Sequence, residues 1–424
     1  MARGIEGSLA NHYDVELNCG ASRNRGEPRM ATVLYPSAGL GAPKHRTGHA
    51  AGSVTGLPVG SDVFSADNHI SLAEDIFFER FPESMKDRAP RVIYEDDAWT
   101  LAFGGRGFLP PAFTSVLQQY DPLPGSNTGD LDARLAELAA DATTRELAFP
   151  NAMLGLMGFP DLEVRDLAFR IYNEYVAELQ EHAPGRFYAV GLVNWWDAEG
   201  TRRSLAEMRS LGIRTFWMPL KPGVHEDGTP IDCNSDRMRG FWEAVEESGL
   251  PISHHIGEGP ISSPCSHNGL AVSMVHQAAP FREMFARYTL GGLLDRYPGL
   301  RVGWFEGGIN WVPAAIQDTD HMHASFRHMM DEDVEHDARW YWDRHMWSAF
   351  MVDPLGLELV DRIGVDKVMW SSDYPHNEST FGYSERSVAA VVEALGPDDA
   401  TKVVNDNVCD FLGLPAAERG SGAK

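Results

Sequence analysis

Val368-Met-Trp-Ser-Ser-Asp-Tyr-Pro-His376 is the stretch whose reading decides the fold. Three apolar residues, Val368, Met369 and Trp370, run through Ser371 and Ser372 into Asp373, and Tyr374 and Pro375 follow as turn chemistry. An apolar strand that ends in an aspartate is how a barrel enzyme sets a carboxylate at the rim of its active site. Standing alone, Asp373 is equally well explained as a turn cap before proline. Its company upstream decides between the two. Asp67 and His69 lie in Ser-Ala-Asp-Asn-His-Ile, His254 and His255 in Ile-Ser-His-His-Ile-Gly-Glu, and Glu306 in Gly-Trp-Phe-Glu-Gly-Gly. Each follows or sits within a short apolar run, so strand ends far apart in the sequence each offer a nitrogen or oxygen ligand. Imidazole and carboxylate together suit a borderline or hard divalent cation, with zinc the first expectation and manganese or iron the alternatives.

Working outward from these points, the chain alternates between two periodicities. Strands are expected at 63–69, 146–149, 187–193, 214–218, 251–255, 301–306, 347–351 and 367–370. Helices are expected at 131–141, 162–182, 198–211, 238–248, 280–297, 357–363 and 383–395. After the first strand, 91–94 and 99–103 flank Glu95-Asp96-Asp97 and read as a small hairpin insertion. Eight strands separated mostly by helices predict an α/β protein, a closed (β/α)8 TIM-like barrel. In such a barrel the carboxyl ends of all strands meet at one face, which lets residues 67, 69, 255, 306 and 373 converge. No Gly-x-Gly-x-x-Gly opens a helix after a strand, so a dinucleotide fold has no support, and no repeat of solenoid length occurs.

Residues 1–60 are rich in Gly, Ala, Ser and Arg and lack periodicity, so they read as a flexible arm, 61–416 as the barrel and 417–424 as a disordered tail. Met30 inside the arm is a candidate translation start. The 424 residues carry 61 acidic against 36 basic side chains, a net charge of −25 that repels phosphate backbones and anionic membrane surfaces. Neither nucleic acid nor a membrane is therefore an expected partner. Cys19, Cys233, Cys265 and Cys409 show no paired spacing, no apolar run reaches the length of a membrane span, and the amino terminus lacks the order of a secretory signal. A cytoplasmic protein is expected.

The residues themselves leave alternatives open. Asp67 and His69 stand two apart, so on a strand both face one side; alone, the pair reads equally as a solvated strand end beside a packed histidine. His254 and His255 face opposite sides, and His255, directly before Ile-Gly-Glu-Gly, is the one expected to enter a site while His254 packs outward or supports it. Glu306 is costly to bury unpaired and is followed by Gly307 and Gly308, which permit close approach; its ordinary reading is an ion pair. Asp373 suits metal binding or general-base work, and His376 suits a contact to substrate or no task at all.

At these residues the chain resembles the amidohydrolase-related group that includes aminocarboxymuconate semialdehyde decarboxylase and the hydroxybenzoate decarboxylases. The similar pieces run from Ser65 to Leu414: Ser-Ala-Asp-Asn-His, Arg-Ile-Tyr-Asn-Glu-Tyr (170–175), Gly-Leu-Leu-Asp-Arg-Tyr-Pro-Gly-Leu-Arg-Val (292–302), Glu-Gly-Gly-Ile-Asn-Trp-Val-Pro (306–313), Trp-Ser-Ser-Asp-Tyr-Pro-His, and the closing Asn-Asp-Asn-Val-Cys-Asp-Phe-Leu-Gly-Leu. The resemblance implies a distorted eight-stranded barrel with one divalent metal ion at its carboxyl rim, bound by Asp67, His69, His255 and Asp373, and a homodimer. This chain departs from the pattern twice: Asp67 stands where characterised decarboxylases carry His or Glu, and Glu306 where a histidine is common.

The function this implies is a metal-dependent decarboxylase for a small aromatic or unsaturated carboxylate, with Asp373, His376 or Glu306 moving the proton that replaces carbon dioxide. A metal-dependent hydrolase acting through activated water on an amide, ester, lactone or ring carbon uses the same ligand types. A third reading is a barrel that binds without catalysing.

Overall fold

The strands form where the apolar runs end at the rim residues. The computed structural model describes residues 54–70, 76–95, 98–103, 106–107, 130–150, 157–225, 227–257, 267, 269–376 and 378–415. Met30, Cys19, Cys265, the tail at 417–424 and all but the last residues of the expected arm lie outside the described residues. Within 54–60, Val54 and Leu57 are buried, so the packed chain begins before the expected boundary at residue 61.

Eleven strands are present among the described residues: β1 (Phe64–Ile70), β2 (Arg91–Glu95), β3 (Ala98–Phe103), β4 (Arg106–Gly107), β5 (Arg145–Pro150), β6 (Phe187–Leu192), β7 (Thr215–Trp217), β8 (Ile252–His255), β9 (Val302–Phe305), β10 (Met346–Phe350) and β11 (Val368–Trp370). Eight of them pair in the order β1-β5-β6-β7-β8-β9-β10-β11, and every neighbouring pair is parallel. The two edges meet just past β11, where Asp373 N donates to Asp67 O at 2.7 Å and His69 N donates to Tyr374 O at 2.6 Å. The result is the expected (β/α)8 barrel. Every residue of these eight strands is buried. Parallel strands covered by helices outside and side chains inside are predominantly apolar, which explains the legibility of most of them; β1 and β5 also carry buried Ser65, Asn68, Arg145 and Glu146.

Helices return the chain from each rim to the next strand. Asp161 and Asp197 cap Leu162–His182 and Ala198–Ser210 by accepting from Val164 N and Gly200 N. Gly249, at φ 68°, ends Arg239–Ser248 in the left-handed conformation and aims the chain into β8. The expected helix at 280–297 is two pieces, Ala279–Tyr288 and Leu293–Arg296, interrupted where Gly292 turns left-handed at φ 68°. The expected helix at 357–363 likewise divides into Pro354–Glu358 and Val360–Ile363. The expected hairpin gains a strand and becomes the three-stranded antiparallel sheet β2-β3-β4. A long helix absent from the sequence reading, Trp311–Phe326, follows β9; Pro313 sits in its first turn, where its missing N–H breaks no helical bond.

The end of the barrel opposite the rim is closed by packing. Buried Arg145 at the start of β5 donates to Gly185 O, Asn405 Oδ1 and Tyr188 Oη, while Asn407 Nδ2 donates to Val365 O and Val368 O beside the start of β11. No helix among the described residues is long and apolar enough to cross a membrane.

Candidate metal and catalytic centre

β1 does not run straight to the rim. Ser65 pairs with Glu146 and Asn68 with Ala148, so Ala66 and Asp67 together oppose Leu147 in a bulge. Beyond it Asp67 and His69 face each other across 3.5 Å (Oδ1 to Nε2), on the side both were expected to share. β8 brings His255, whose Nε2 lies 3.4 Å from Asp67 Oδ1 and 3.0 Å from Glu306 Oε2. Asp373 Oδ1 is 3.1 Å from His69 Nε2 and 3.0 Å from His376 Nδ1. All six side chains named from the sequence therefore meet at one place.

They fall into two overlapping quartets with ligand atoms close enough to share an ion: Asp67, His69, His255 and Glu306, and His69, Glu306, Asp373 and His376. Glu306 belongs to both, which the sequence assignment of Asp67, His69, His255 and Asp373 to the metal did not include. His254 points the other way, stacked on Trp304 at 5.2 Å, with Nδ1 bonded to Met218 O and Nε2 to Tyr288 Oη. Burial pushes its pKa down to about 3, so it is a neutral packing group, as expected of the outward-facing member of the pair.

The residues fit a divalent cation. Both oxygens of Asp67, both of Asp373, and Nε2 of His69 and of His255 are buried without a hydrogen bond of good geometry, an arrangement that is costly unless a ligand is shared among them. His255 Nδ1 bonds the carbonyl of Ile256 at 2.8 Å. A carbonyl only accepts, so Nδ1 carries the proton and the Nε2 lone pair faces the cluster. Burial, and then the neighbouring His376 and His255, hold the His69 imidazole well below its ordinary pKa, in the neutral form that binds metals. Burial, followed by repulsion from Asp373, raises Glu306 well above the usual carboxylate range; burial, then Glu378 and Asp67, does the same to Asp373.

Backbone conformation sets the two carboxylates from β9 and β11. Glu306 at φ 65°, directly past β9, and Asp373 at φ 59°, three residues past β11, both adopt the left-handed region. A non-glycine residue there carries strain of about 1–3 kcal/mol that the surroundings must impose. At Glu306 they do so through Asp353, whose Oδ2 accepts from Ile309 N at 2.7 Å and Asn310 N at 2.8 Å. A Cβ at Gly307 would overlap the Phe281 ring, so the turn that presents Glu306 requires glycine at that position.

Sequence reading missed the residues that surround this cluster. Phe149 and Trp217 form an aromatic wall, with ring centroids 4.5 and 5.2 Å from His255. Behind β1, Asn68 bonds Glu146, which is held by a fully buried pair of bonds from Arg134. Asn68 lay in plain view between Asp67 and His69; Glu146 and Arg134 gave no local signal because they sit on different elements, β5 and the helix Leu131–Ala140, and Asn68 is 78 positions from Glu146 in sequence.

A parallel eight-stranded barrel that gathers imidazoles and carboxylates at its carboxyl rim is the architecture of metal-dependent barrel enzymes. The chain belongs to the amidohydrolase family, whose model matches residues 124–414. Gamma-resorcylate decarboxylase of Rhodococcus jostii is 23% identical over 315 residues, which are 69% of this chain and 92% of that protein. Among solved structures, an amidohydrolase from Mycobacterium avium subsp. paratuberculosis superposes with a TM-score of 0.66 at 19% identity, covering 85% of this chain and 100% of that one. A 5-carboxyvanillate decarboxylase from Novosphingobium aromaticivorans, solved with manganese and a nitrobenzoic acid derivative, gives 0.60 at 16% identity, covering 87% and 99%.

Proposed function

We propose that this chain is a metal-dependent decarboxylase, a carbon–carbon lyase, for a small aromatic carboxylate. The observation that carries the reading is the juxtaposition of an aromatic wall, Phe149 and Trp217, with six ligand-type side chains on one rim. The similarity to decarboxylases of aromatic acids along most of the chain supports it.

In this reading Asp67, His69, His255 and Asp373 hold the cation, with zinc the first choice from the donor set; manganese, present in the Novosphingobium protein, and iron are the alternatives. When bound, the cation orients the substrate's carboxylate and an adjacent oxygen and neutralises charge at both. Glu306, whose carboxyl is raised by burial and then by the neighbouring Asp373 well above the usual carboxylate range, acts in its protonated form and delivers a proton to the ring carbon bearing the carboxylate. The bond from that carbon to the carboxylate carbon then breaks, carbon dioxide leaves, and the electron pair returns to the ring. Water reprotonates Glu306. His376, the more exposed member of its pair with Asp373, donates to a substrate oxygen at the mouth.

The exposed apolar side chains Met322, Phe326 and Met329 along one helix and its extension fit a homodimer, and the buried thiols of Cys233 and Cys409, which form no disulfide among the described residues, fit a reducing cytoplasm. Sedimentation of the purified protein tests the first, and fractionation of its native cells tests the second.

The test of function is carbon dioxide release from a panel of hydroxybenzoates and related aromatic acids by protein loaded with zinc, manganese or iron. Release with stoichiometric decarboxylated product is expected. Absence of carbon dioxide together with oxygen-18 from water in a product of amide, ester or lactone cleavage would replace this reading with hydrolysis.

A further inference from the structure

We propose that Asn68, backed by Glu146 and Arg134, is a positioning clasp that fixes the cation ligands of the first barrel strand relative to those of the last. The proposal rests on the cation-site reading above. The junction of β1 with β11 is where the barrel depends least on a regular ladder: its edges are joined by the two backbone bonds between 67–69 and 373–374, at the level of the ligands themselves. A small slide along this seam moves Asp67 and His69 on one side against Asp373 and His376 on the other. Metal ligation tolerates only a few tenths of an ångström.

Asn68 bridges that seam with one amide group. Lying between Asp67 and His69, it faces away from both. Its Oδ1 accepts from Tyr374 N at 3.0 Å and from Ser65 Oγ at 2.9 Å, and Ser65 Oγ in turn accepts from Ser372 N at 2.7 Å. Its Nδ2 donates to Glu146 Oε2 at 2.7 Å. Glu146 is anchored by Arg134 Nε at 2.8 Å and Nη2 at 2.6 Å, with neither side chain exposed. The same helix also reaches the far side of the seam: Arg134 lies 4.7 Å over the Tyr374 ring, and Tyr374 Oη donates to Glu137 at 3.0 Å. An aspartate at 68 would lose the donor and set a carboxylate against Glu146, so the chemistry of the clasp requires the amide.

Asn407 provides the control. It makes two buried bonds at the opposite end of β11, to Val365 O and Val368 O, and touches none of the ligands. Full-length protein is stripped with chelator and titrated with Mn2+ by calorimetry, with thermal unfolding measured in parallel. Asn68→Ala is expected to raise the Mn2+ Kd by about 10–100-fold, the range for outer partners of metal ligands, whereas Asn407→Ala lowers Tm and leaves the Kd within about twofold. Asn68→Asp, which keeps an oxygen for Tyr374 N but loses the donor to Glu146, is expected to raise the Kd by a similar factor. That variant keeps the test decisive if Asn68→Ala does not fold. An unchanged Kd in folded Asn68→Ala or Asn68→Asp, or an equal loss in Asn407→Ala, overturns the clasp while leaving the cation site standing. Failure of the wild type to bind any of Mn2+, Zn2+ or Fe2+ removes the cation site itself.

Discussion

The amide of Asp373 donates to the carbonyl of Asp67 at 2.7 Å, so the last and first strands of the barrel present their carboxylates from opposite ends of one backbone hydrogen bond. Two residues 306 positions apart in sequence are thereby set side by side, with His69, His255, Glu306 and His376 around them.

Cation binding is expected to stabilise the fold and to depend on the imidazoles. A ligand that binds only the native state adds about 2.7 kcal/mol at a free concentration a hundredfold above its Kd. Thermal unfolding with and without Zn2+ or Mn2+ should show the rise, and chelation should reverse it. In His255→Ala the shift should vanish. A variant with an undiminished shift would place the ion elsewhere.

Glu306→Gln keeps the shape of the side chain and removes its transferable proton. Loss of a general acid lowers kcat by about 10²–10⁴-fold. Carbon dioxide release should fall by that factor while the affinity for an aromatic acid changes little. A loss confined to KM would make Glu306 a binding group.

Stability should fall on acidification. The His254 imidazole in the native protein takes a proton only near pH 3, whereas in the unfolded chain it does so near 6.5. Between those values the unfolded state binds more protons, so stability rises with pH and is lost as the pH drops from 6.5 towards 3. At one pKa unit per 1.36 kcal/mol the full contribution is on the order of 4–5 kcal/mol. His69, lowered in the same direction, adds to it. Denaturant unfolding at a series of pH values should show the acid limb flatten in His254→Gln.

Gly307→Ala forces a methyl group against the Phe281 ring beside the strained Glu306. Overpacking of this kind costs about 1–3 kcal/mol. Urea midpoints should fall accordingly, and because Phe281→Ala makes room for the methyl group, the double variant should lose less than the sum of the two single losses. If the single variant is as stable as the wild type, the turn does not need its glycine.

The eight strands were legible because a strand buried on both faces is predominantly apolar until it reaches the rim, where Asp67, His255, Glu306 and Asp373 appear; Ser65, Arg145, Glu146 and Ser253 interrupt β1, β5 and β8 without hiding them. The helix Trp311–Phe326 was not, since its polar, histidine-bearing face and early proline obscure the period. Nor was the break at Gly292, where a single left-handed residue ends one helix and starts another.

Local sequence therefore determined which ligand-type residues stand at this rim and that a barrel must gather them: apolar runs punctuated by His, Asp and Glu are a property of the chain read in order. Tertiary structure alone decided how they are grouped. Glu306 joins both quartets because a left-handed backbone, held by Asp353 from the turn after the next strand, turns it inward. Asn68 becomes a clasp only because closure of the barrel brings Tyr374 and Glu146 to its two ends. Hydrogen bonds between distant residues have no period in sequence, and only closure of the barrel brings their partners within reach.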